Sequence, residues 1–511
     1  MSSSASAKRT TINTIAQYIR AVVNIILSLY ATRFVLAALG QDDYGIYSVV
    51  AYAVSMLGFV TNALLVTTQR YISYYHGTGN TEYVKLVFKN SVFLHVVFGI
   101  VLILILYVLK EKMIIDWLVI DPSREQAAMY VYGMVLIMLL LSILSAPFKA
   151  AFIARENIVY ISIVEICDGI LKFVIATSLQ HATVDKLQLY AGLMVLIQLL
   201  NFFAYSIFSV AKYSECQIKI DRKDISKQCL GKLCNFAGWS LYSMGCIVGR
   251  NQGLHIVFNN FFGTILNSAY GIAMQVSGSI QFFSQAILNA MNPQIMKAEG
   301  AACREKMLEL SEQASKYALL LLSMFAIPLV IEMPAILEFW LKDNVPNNTL
   351  LFCRMILIAS MCDQLTIGLG SANQAIGRIR NYSLVINTIK VTTIPITCIL
   401  LSLDYSLEVV MCFYVAIELI CAMARLPFLK YTAGLSITHF VKNVFLPVLF
   451  PIVALVLIGL ASVNYLDISY RFIYTIVVSI IIDIIVIWYF TFGKTEREFV
   501  TQMVRNKINK K

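Results

Sequence analysis

Residues 32–50 read TRFVLAALGQDDYGIYSVV and place a Leu-Gly pair and two aspartates between two apolar runs. Glycine turns a chain readily, and a carboxylate after a turn can accept hydrogen bonds from the first amides of a helix. The stretch therefore predicts the end of one apolar helix, a tight extracytoplasmic turn and the start of the next helix. We interpret Asp42 and Asp43 as caps of that second helix, because the turn is too short to build a glycosyl-transfer site.

Apolar runs of this kind continue along the whole chain. Of its 511 residues, 59% are hydrophobic and 14% are charged, and the mean hydropathy is +0.75. Soluble domains are about 45–50% apolar and about 25% charged. Open strands cannot satisfy their backbone groups in lipid, and the alternating pattern of a membrane barrel is missing. The sequence therefore predicts an all-α polytopic membrane protein.

About fourteen spans are predicted, each close to the roughly 20 apolar residues that cross a bilayer. They are residues 14–38, 45–68, 84–109, 128–147, 157–180, 187–210, 233–258, 268–292, 314–341, 350–376, 381–402, 407–430, 442–463 and 469–492. The pair Asn292-Pro293 predicts a helix break at the end of the eighth span.

An internal repeat divides the first twelve spans into two sets of six. NTIAQYIR at 13, DYGIY at 43 and RYISYYHG at 70 resemble NFAGWSLY at 235, AYGIA at 269 and PQIMKAEG at 293, in the same order and about 223 residues apart. An offset of six helices gives both halves the same membrane orientation, as in transporters built from parallel repeats. The predicted organisation is an N-terminal six-helix bundle (1–210), a cytoplasmic linker (211–232), a C-terminal six-helix bundle (233–430), two additional helices (431–492) and a basic cytoplasmic tail (493–511).

Lysines and arginines are distributed unevenly between the two sides of these spans. With a cytoplasmic N-terminus, 29 of the 40 fall on the cytoplasmic side, Arg425 among them, while 6 fall on the other side and 5 within spans. Cytoplasmic loops carry the positive excess of membrane proteins. We therefore predict that both termini are cytoplasmic. The net charge of +11 is assigned to these loops rather than to nucleic-acid binding, since no basic surface domain is present.

Several kinds of site are missing from the sequence. It has no phosphate loop, nucleotide-binding cassette or nucleophile elbow, its five histidines are scattered, and its eleven cysteines show no metal or disulfide spacing. No metal, cofactor or ATP hydrolysis is predicted.

Cations inside the predicted spans are candidate substrate-binding groups, because a charge in hydrocarbon is costly and marks a pathway or an ion pair. These cations are Arg33, Arg250 and Lys390. Facing a central cavity, they would attract an anionic headgroup, and a guanidinium can bind a phosphate through two hydrogen bonds. The alternative is that they snorkel to the interface or form internal ion pairs.

Acids inside the spans are candidates for proton or sodium coupling, and they are Glu165, Asp168, Asp363, Glu418 and Asp483. Glu165, Asp168 and Lys172 share one helical face, and we predict that Asp168 and Lys172 form an ion pair. The other three acids have no partner nearby in the sequence.

Five segments together resemble the successive signatures of Wzx-type polysaccharide flippases, in the multidrug/oligosaccharidyl-lipid/polysaccharide (MOP) exporter superfamily. They are SLYATRFVLAALGQDDYGIYSVV (28–50), TTQRYISYYHGTGN (67–80), APFKAAFIARENIVYISIVEICDGILK (146–172), GIAMQVSGSIQFF with LNAMNPQIMKAEG (271–300) and EFWLKDNVP (338–346). The resemblance covers almost the whole chain. It implies two pseudo-symmetric six-helix bundles in a MATE-like V shape, two added C-terminal helices and a place in the bacterial inner membrane.

The resemblance also implies an activity, which is the movement of undecaprenyl-diphosphate-linked oligosaccharide to the outer leaflet by alternating access, for surface polysaccharide such as lipopolysaccharide. The implied partners are this lipid-linked oligosaccharide, membrane lipids, the polysaccharide polymerase with its chain-length machinery, and a coupling proton or sodium ion. In the related lipid II flippase, cavity arginines engage the diphosphate, and Arg33 and Arg250 fit that role best here. Drug-exporting relatives carry an acid in the first helix, and residues 15–40 contain none.

The alternatives are a cation-coupled multidrug exporter, a lipid II flippase and a polytopic glycosyltransferase or polymerase. Such an enzyme is expected to build its site on a substantial extracytoplasmic loop. The longest such loop here, at 110–127, has fewer than twenty residues. We therefore predict a transporter rather than an enzyme.

Overall fold

In a computed structural model of the chain, residues 3–117, 121–217, 219, 221–341, 345–468, 470–493, 496–498 and 501 are described. These residues contain helices and no strand. The helices are α1 (Ser3–Ser55), α2 (Gly58–Gly77), α3 (Thr81–Val108), α4 (Glu125–Ala154), α5 (Ile158–Ser178), α6 (Lys186–Lys212), α7 (Lys227–Gly300), α8 (Arg304–Leu341), α9 (Thr349–Gln364), α10 (Ile367–Ile376), α11 (Ile379–Val391), α12 (Thr393–Ser402), α13 (Leu407–Ala433), α14 (Ile437–Phe440), α15 (Leu446–Tyr465) and α16 (Arg471–Val486). Most of the predicted tail at 493–511, residues 218 and 220 of the predicted linker, and residues 342–344 of the last quoted signature lie outside the described residues.

Helix covers part of each of the fourteen predicted spans. In the described part of the chain, nine helical stretches are long and apolar enough to cross a membrane, and α9 with α10, bent by 44°, would be a tenth. Apolar side chains on these helices, such as Leu104, Leu457 and Ile481, are more than half exposed. Lipid is the solvent that such a surface requires. The predicted all-α membrane fold is confirmed.

The chain divides into two compact units. The N-terminal unit is Thr11–Met244, and the C-terminal unit is Met1–Thr10 with Gly245–Lys511. In the N-terminal unit, α4 packs against α2, α3 and α6, and the hydroxyl of its buried Tyr132 donates to the carbonyl of Leu106 at 2.9 Å. In the C-terminal unit, α8 packs against α9, α10, α15 and α16, and α9 also packs against α13.

The backbone repeats itself at the offset that the sequence predicted. Gly40 interrupts α1 with φ 79° and ψ 175°, and Gly263, 223 residues later, interrupts α7 with φ 76° and ψ −168°. The ends of α2 and α7 and the starts of α3 and α8 show the same offset. Positive φ angles at Gly79 and Ala302 do so too. The internal repeat is therefore present in the backbone as well as in the sequence.

Gly40 occupies a backbone region that is open almost only to glycine, because φ is positive while ψ is near 180°. No atom lies within 4 Å of a Cβ added there, so the cost of a side chain is conformational rather than steric. We expect Gly40→Ala to lower the free energy of unfolding by about 1–3 kcal/mol. Thermal unfolding of the purified protein in detergent measures this.

The matched control is Gly45→Ala, in the same helix, which also has open space around the added Cβ and an ordinary φ. Alanine is the better helix former, so this variant should be neutral or slightly stabilised. Equal losses in the two variants would contradict the assignment of strain to Gly40.

The two aspartates lie in the turn at Gly40, as predicted, but they do not cap the following helix. Arg124, at the start of α4, donates to both carboxylate oxygens of Asp43 at 2.9 and 2.6 Å. Its remaining nitrogen binds Asp185, which caps α6. Among the described residues, neither aspartate accepts from a backbone amide. The forked guanidinium matches both carboxylate oxygens and so competes successfully with the amides.

The predicted break at Asn292-Pro293 is wrong, because α7 continues through Pro293 to Gly300. A proline removes one backbone donor from a helix. The side chains of Met291, Ile295 and Met296 on either side are buried in an apolar cluster of the C-terminal unit. That packing offsets the missing hydrogen bond.

Glu215 contacts two other segments of the chain, through Arg155 and His76, at the end of the N-terminal unit that is predicted to be cytoplasmic. It is buried, its oxygens accept from Arg155 at 2.7 and 2.8 Å, and His76 Nε2 lies 3.3 Å away. Burial raises the pKa of this carboxyl, but the His76 and Arg155 side chains outweigh burial and lower the pKa from 4.5 to about 2. Folding is therefore linked to its ionisation.

A pKa lowered by folding stabilises the protein above the unfolded pKa, and that stability disappears as the pH falls from about 4.5 to about 2. Glu215→Gln should remove about 3 kcal/mol at neutral pH and flatten this part of the pH profile. The measurement is thermal unfolding between neutral pH and pH 2. Glu82→Gln, in an exposed pair with Lys85, is the control and should leave the profile unchanged. A wild-type slope persisting in Glu215→Gln would refute this origin.

Candidate functional site

Five charged side chains form a continuous chain of ion pairs inside the C-terminal unit. At its centre, Lys390 Nζ lies 2.8 Å from Asp363 Oδ1 and 2.9 Å from Glu418 Oε2. Arg425 Nη2 donates to Asp363 Oδ1 at 2.6 Å, and Arg250 donates to Glu418. We call this set the charge chain. Its charges alternate in sign with a cation at each end, so the fully ionised set has a surplus of one positive charge.

Four helices supply the charge chain. Arg250 comes from α7, Asp363 from α9 and Lys390 from α11, while Glu418 and Arg425 both come from α13. The last two are seven residues apart, which places them on one face of α13. All but Asp363 are buried, at 3–7% exposure, and Asp363 has a side chain that is 20% exposed.

Further contacts fix the two ends of the charge chain. Arg425 Nη1 also donates to the backbone carbonyl of Asp363 at 2.9 Å. The Arg250 guanidinium lies 5.2 Å from the ring centre of Tyr414, which is one turn before Glu418 on α13. An aromatic face attracts a cation without neutralising its charge. The terminal guanidinium groups are therefore positioned while the surplus positive charge is retained.

Arg425 was placed among the cytoplasmic charges by the sequence, and that placement is wrong because its side chain is buried against Asp363. The sequence contained a usable signal. Tyr414, Glu418 and Arg425 recur at helical spacing on one face of α13, in phase with the buried Cys421. When a polar residue shares a helix face with buried residues, its side chain is expected to lie inside the protein rather than in a loop.

Arg250 and Lys390 were predicted to be cavity cations, with internal ion pairs as the alternative. The structure gives both residues acid partners, which are Glu418 and Asp363. Those two acids have no partner near them in the sequence because their partners are on other helices. The internal ion pairs are thus present, and a role in substrate binding remains a prediction.

The predicted acids of the N-terminal unit are also paired. Glu165 lies between two cations, with its oxygens 2.5 Å from Arg20 Nη1 and 2.5 Å from Lys149 Nζ. Asp168 lies 2.8 Å from Lys172 Nζ, which confirms the predicted ion pair. Asn201 donates to the other oxygen of Asp168 at 2.7 Å.

The two remaining candidate site residues, Arg33 and Asp483, have no charged partner in the described part of the chain. Arg33 is exposed on α1, and no acid of the described residues lies within ion-pair distance. Asp483 is fully buried in α16, and neither of its carboxyl oxygens has a hydrogen-bond partner among those residues. Arg33 belongs to the N-terminal unit and Asp483 to the C-terminal unit.

Comparison with solved structures identifies the architecture that holds these groups. A MOP superfamily transporter from Pyrococcus furiosus Vc1 (DSM3638) superposes with a TM-score of 0.72 at 12% identity, over 84% of this chain and 96% of that one. The chain has the MATE fold. An outward-facing multidrug resistance MATE family transporter gives the same four values, and the MATE transporter ClbM in complex with Rb+ gives 0.69 at 14% identity over 84% and 95%. No protein-family model and no curated protein sequence matches.

The surplus charge of the charge chain predicts unequal effects of neutralising its members. Asp363→Asn leaves three cations facing one acid, whereas Lys390→Met leaves two cations facing two acids. Removing one partner of a buried ion pair costs about 3–5 kcal/mol. We expect Asp363→Asn to lower the free energy of unfolding by nearly that amount and Lys390→Met to lower it by less. Thermal unfolding in detergent measures both.

Lys172→Met is the control because it removes a cation whose side chain is 44% exposed. Its stability should change by less than about 1 kcal/mol. If Lys390→Met unfolded at a lower temperature than Asp363→Asn, that result would contradict a surplus of positive charge in the charge chain.

Proposed function

We propose that the chain is an alternating-access transporter and that it carries an anionic, lipid-linked substrate, an undecaprenyl-diphosphate-linked oligosaccharide, from the cytoplasmic to the outer leaflet. The MATE fold supports the general class, since the solved structures of similar fold are transporters. The observation that supports the substrate class is the surplus of cations in the charge chain.

The physical task is to move a sugar-diphosphate head through about 30 Å of hydrocarbon. Burying an unpaired phosphate charge there costs many kcal/mol. A positive, polar site lowers that cost while the polyprenyl tail stays in lipid. Guanidinium groups suit this task because they bind phosphate oxygens through two parallel hydrogen bonds.

The charge chain can offer such a group by exchanging partners. Arg250 is bound to Glu418 and stacked near Tyr414, and Glu418 has a second cation in Lys390. A diphosphate that displaces Glu418 from Arg250 would leave this acid paired with Lys390. Arg33 needs no such exchange, since no acid of the described residues is bound to it.

A cation-coupled multidrug exporter is the second candidate. One observation favours it, because each cation of the charge chain has an acid partner and the set is nearly neutral. In the MOP superfamily transporter from Pyrococcus furiosus, the reverse polarity of the binding pocket suggests a different function for that protein, and we use the sign of the charge to choose between the two candidates here. We favour the anionic substrate because the surplus charge here is positive.

In this proposal the protein lies in the bacterial inner membrane with cytoplasmic termini, and it is not an enzyme. It acts with the polysaccharide polymerase and chain-length machinery, which use the oligosaccharide that it delivers. The excess of lysines and arginines on the cytoplasmic side, 28 against 6 once the buried Arg425 is left out, supports the orientation.

The test is reconstitution of the full chain in liposomes with undecaprenyl-diphosphate-linked oligosaccharide, followed by labelling of sugar exposed on the far leaflet. Arg33→Gln and Arg250→Gln should each lower the apparent affinity about 10- to 100-fold, the value of one charge-assisted hydrogen bond at about 1.5–3 kcal/mol. Lys172→Gln, with an exposed cation outside the proposed site, should behave as wild type.

Two outcomes would overturn the proposal. Wild-type rates in the Arg33→Gln, Arg250→Gln double variant would remove these residues from the substrate site. An absence of sugar exposure by the wild-type protein, together with efflux of a cationic dye, would favour the drug exporter.

A further inference from the structure

Helix α16 presents a line of polar side chains to the interior of the C-terminal unit. Thr475, Ser479 and Asp483 are its buried residues, each completely inaccessible to solvent, and Arg471 precedes them by one more turn. A spacing of four residues places all of them on one helix face. We call these four residues the polar stripe.

One end of the polar stripe is satisfied by a buried acid on α8. Arg471 Nε lies 3.0 Å from Glu332 Oε1, and the Thr475 hydroxyl donates to the same oxygen at 2.8 Å. Glu332 is 1% exposed, whereas the Arg471 side chain is 28% exposed. This end of the polar stripe therefore runs from a partly exposed cation to a buried carboxylate.

The other end of the polar stripe is unsatisfied. The Ser479 hydroxyl and both oxygens of Asp483 have no hydrogen-bond partner among the described residues. An ionised carboxylate buried without a partner costs far more than a neutral carboxylic acid in the same place. The surroundings of Asp483 therefore favour a carboxyl group that holds a proton.

Other ionisable groups that face Asp483 are few and lie at the two ends of its helix. Helices α16 and α8 are antiparallel, since Arg471 and Thr475 contact Glu332 while Ile487 shares an apolar cluster with Leu319 and Leu320. Asp483 lies between these two points along α16, so its level on α8 falls between Leu320 and Glu332.

The helices packed against α16 supply no ionisable side chain at that level. On α8, residues 318–331 contain none between Tyr317 and Glu332. On α15 the single ionisable side chain is the exposed Tyr465. Beyond α16, Glu496 binds Lys316 and Tyr317. Glu332 and Glu496 are thus each held by a cation, and Asp467, just before α16, is exposed.

We propose that Asp483 is a reversible proton-binding site, reached from the Arg471 end of the polar stripe. Binding adds one proton to a carboxylate oxygen and removes one negative charge, and no other bond changes. Glu332 Oε1 and the Thr475 hydroxyl are 2.8 Å apart, and Thr475, Ser479 and Asp483 follow one another at intervals of about 6 Å along the axis of α16, the rise of four helical residues. In the transporter this proton couples transport to a proton gradient, and that consequence rests on the proposed function.

The first experiment observes the proton directly. Infrared spectra of the full chain in H2O and D2O should show the C=O stretch of a protonated carboxylic acid that shifts in D2O, and Asp483→Asn should lack that band. Asp467→Asn, which removes an exposed acid just before α16, should keep it. Asp483→Leu should retain the thermal stability of the wild type, because it breaks no hydrogen bond. A band that survives in Asp483→Asn, or is absent from the wild type, overturns the site.

The second experiment measures coupling in liposomes with lipid-linked oligosaccharide. A difference of one pH unit across the membrane should change the substrate distribution by up to about tenfold for a one-proton step. Asp483→Asn should abolish this response, whereas Asp467→Asn should keep it. A response that persists in Asp483→Asn, or that follows sodium instead, overturns the coupling. Protein that shows the infrared band but transports no sugar would support the proton site and refute the proposed function.

Discussion

A charge surrounded by hydrocarbon needs a counter-charge or must lose its ionisation, and the arrangement of the helices depends on this constraint. The charge chain meets it by alternation, since Lys390 lies between Asp363 and Glu418. The N-terminal unit meets it differently, with Glu165 held between Arg20 and Lys149. In both cases helices distant in the sequence are joined by charges that none of them could bury alone.

A shared fold leaves the chemistry of the substrate open, because the MATE fold depends on apolar helix faces and turns. Transport of an anion or of a cation then depends on a few side chains inside that frame. In this chain the charge chain has a single surplus positive charge, and Arg250 and Arg425 are its two ends. Such a small imbalance can be reversed by one or two substitutions, which fits a fold whose solved members include drug exporters and a transporter with a pocket of reverse polarity.

The fold could be predicted from the sequence because lipid imposes a simple rule on composition and length. Apolar runs of span length located the helices, and three short similarities at an offset of about 223 located the repeat. The errors arose where tertiary contacts override a local preference. Asp43 could cap a helix locally, but Arg124 offers it a better partner. Pro293 removes one hydrogen bond, and packing keeps the helix intact.

The candidate site was predictable only in part. Hydropathy identified Arg250, Lys390, Asp363 and Glu418 as charges at membrane depth, yet it could not pair them, since pairing depends on which helix faces meet. Arg425 was missed because a charge near the end of a span looks the same in sequence whether it is in a loop or inside. Only its helical spacing from the buried residues of α13 distinguishes the two cases.

The glycine turns at Gly40 and Gly263 suggest how two halves of one chain came to differ. Both turns depend on the positive φ that glycine adopts, and no atom lies within 4 Å of a Cβ added at either glycine. After a duplication, mutations could therefore exchange polar for apolar residues in one copy while both copies kept the same helical register. The charge chain of the C-terminal unit and the Glu165 cluster of the N-terminal unit are, on this view, separate inventions on one inherited scaffold.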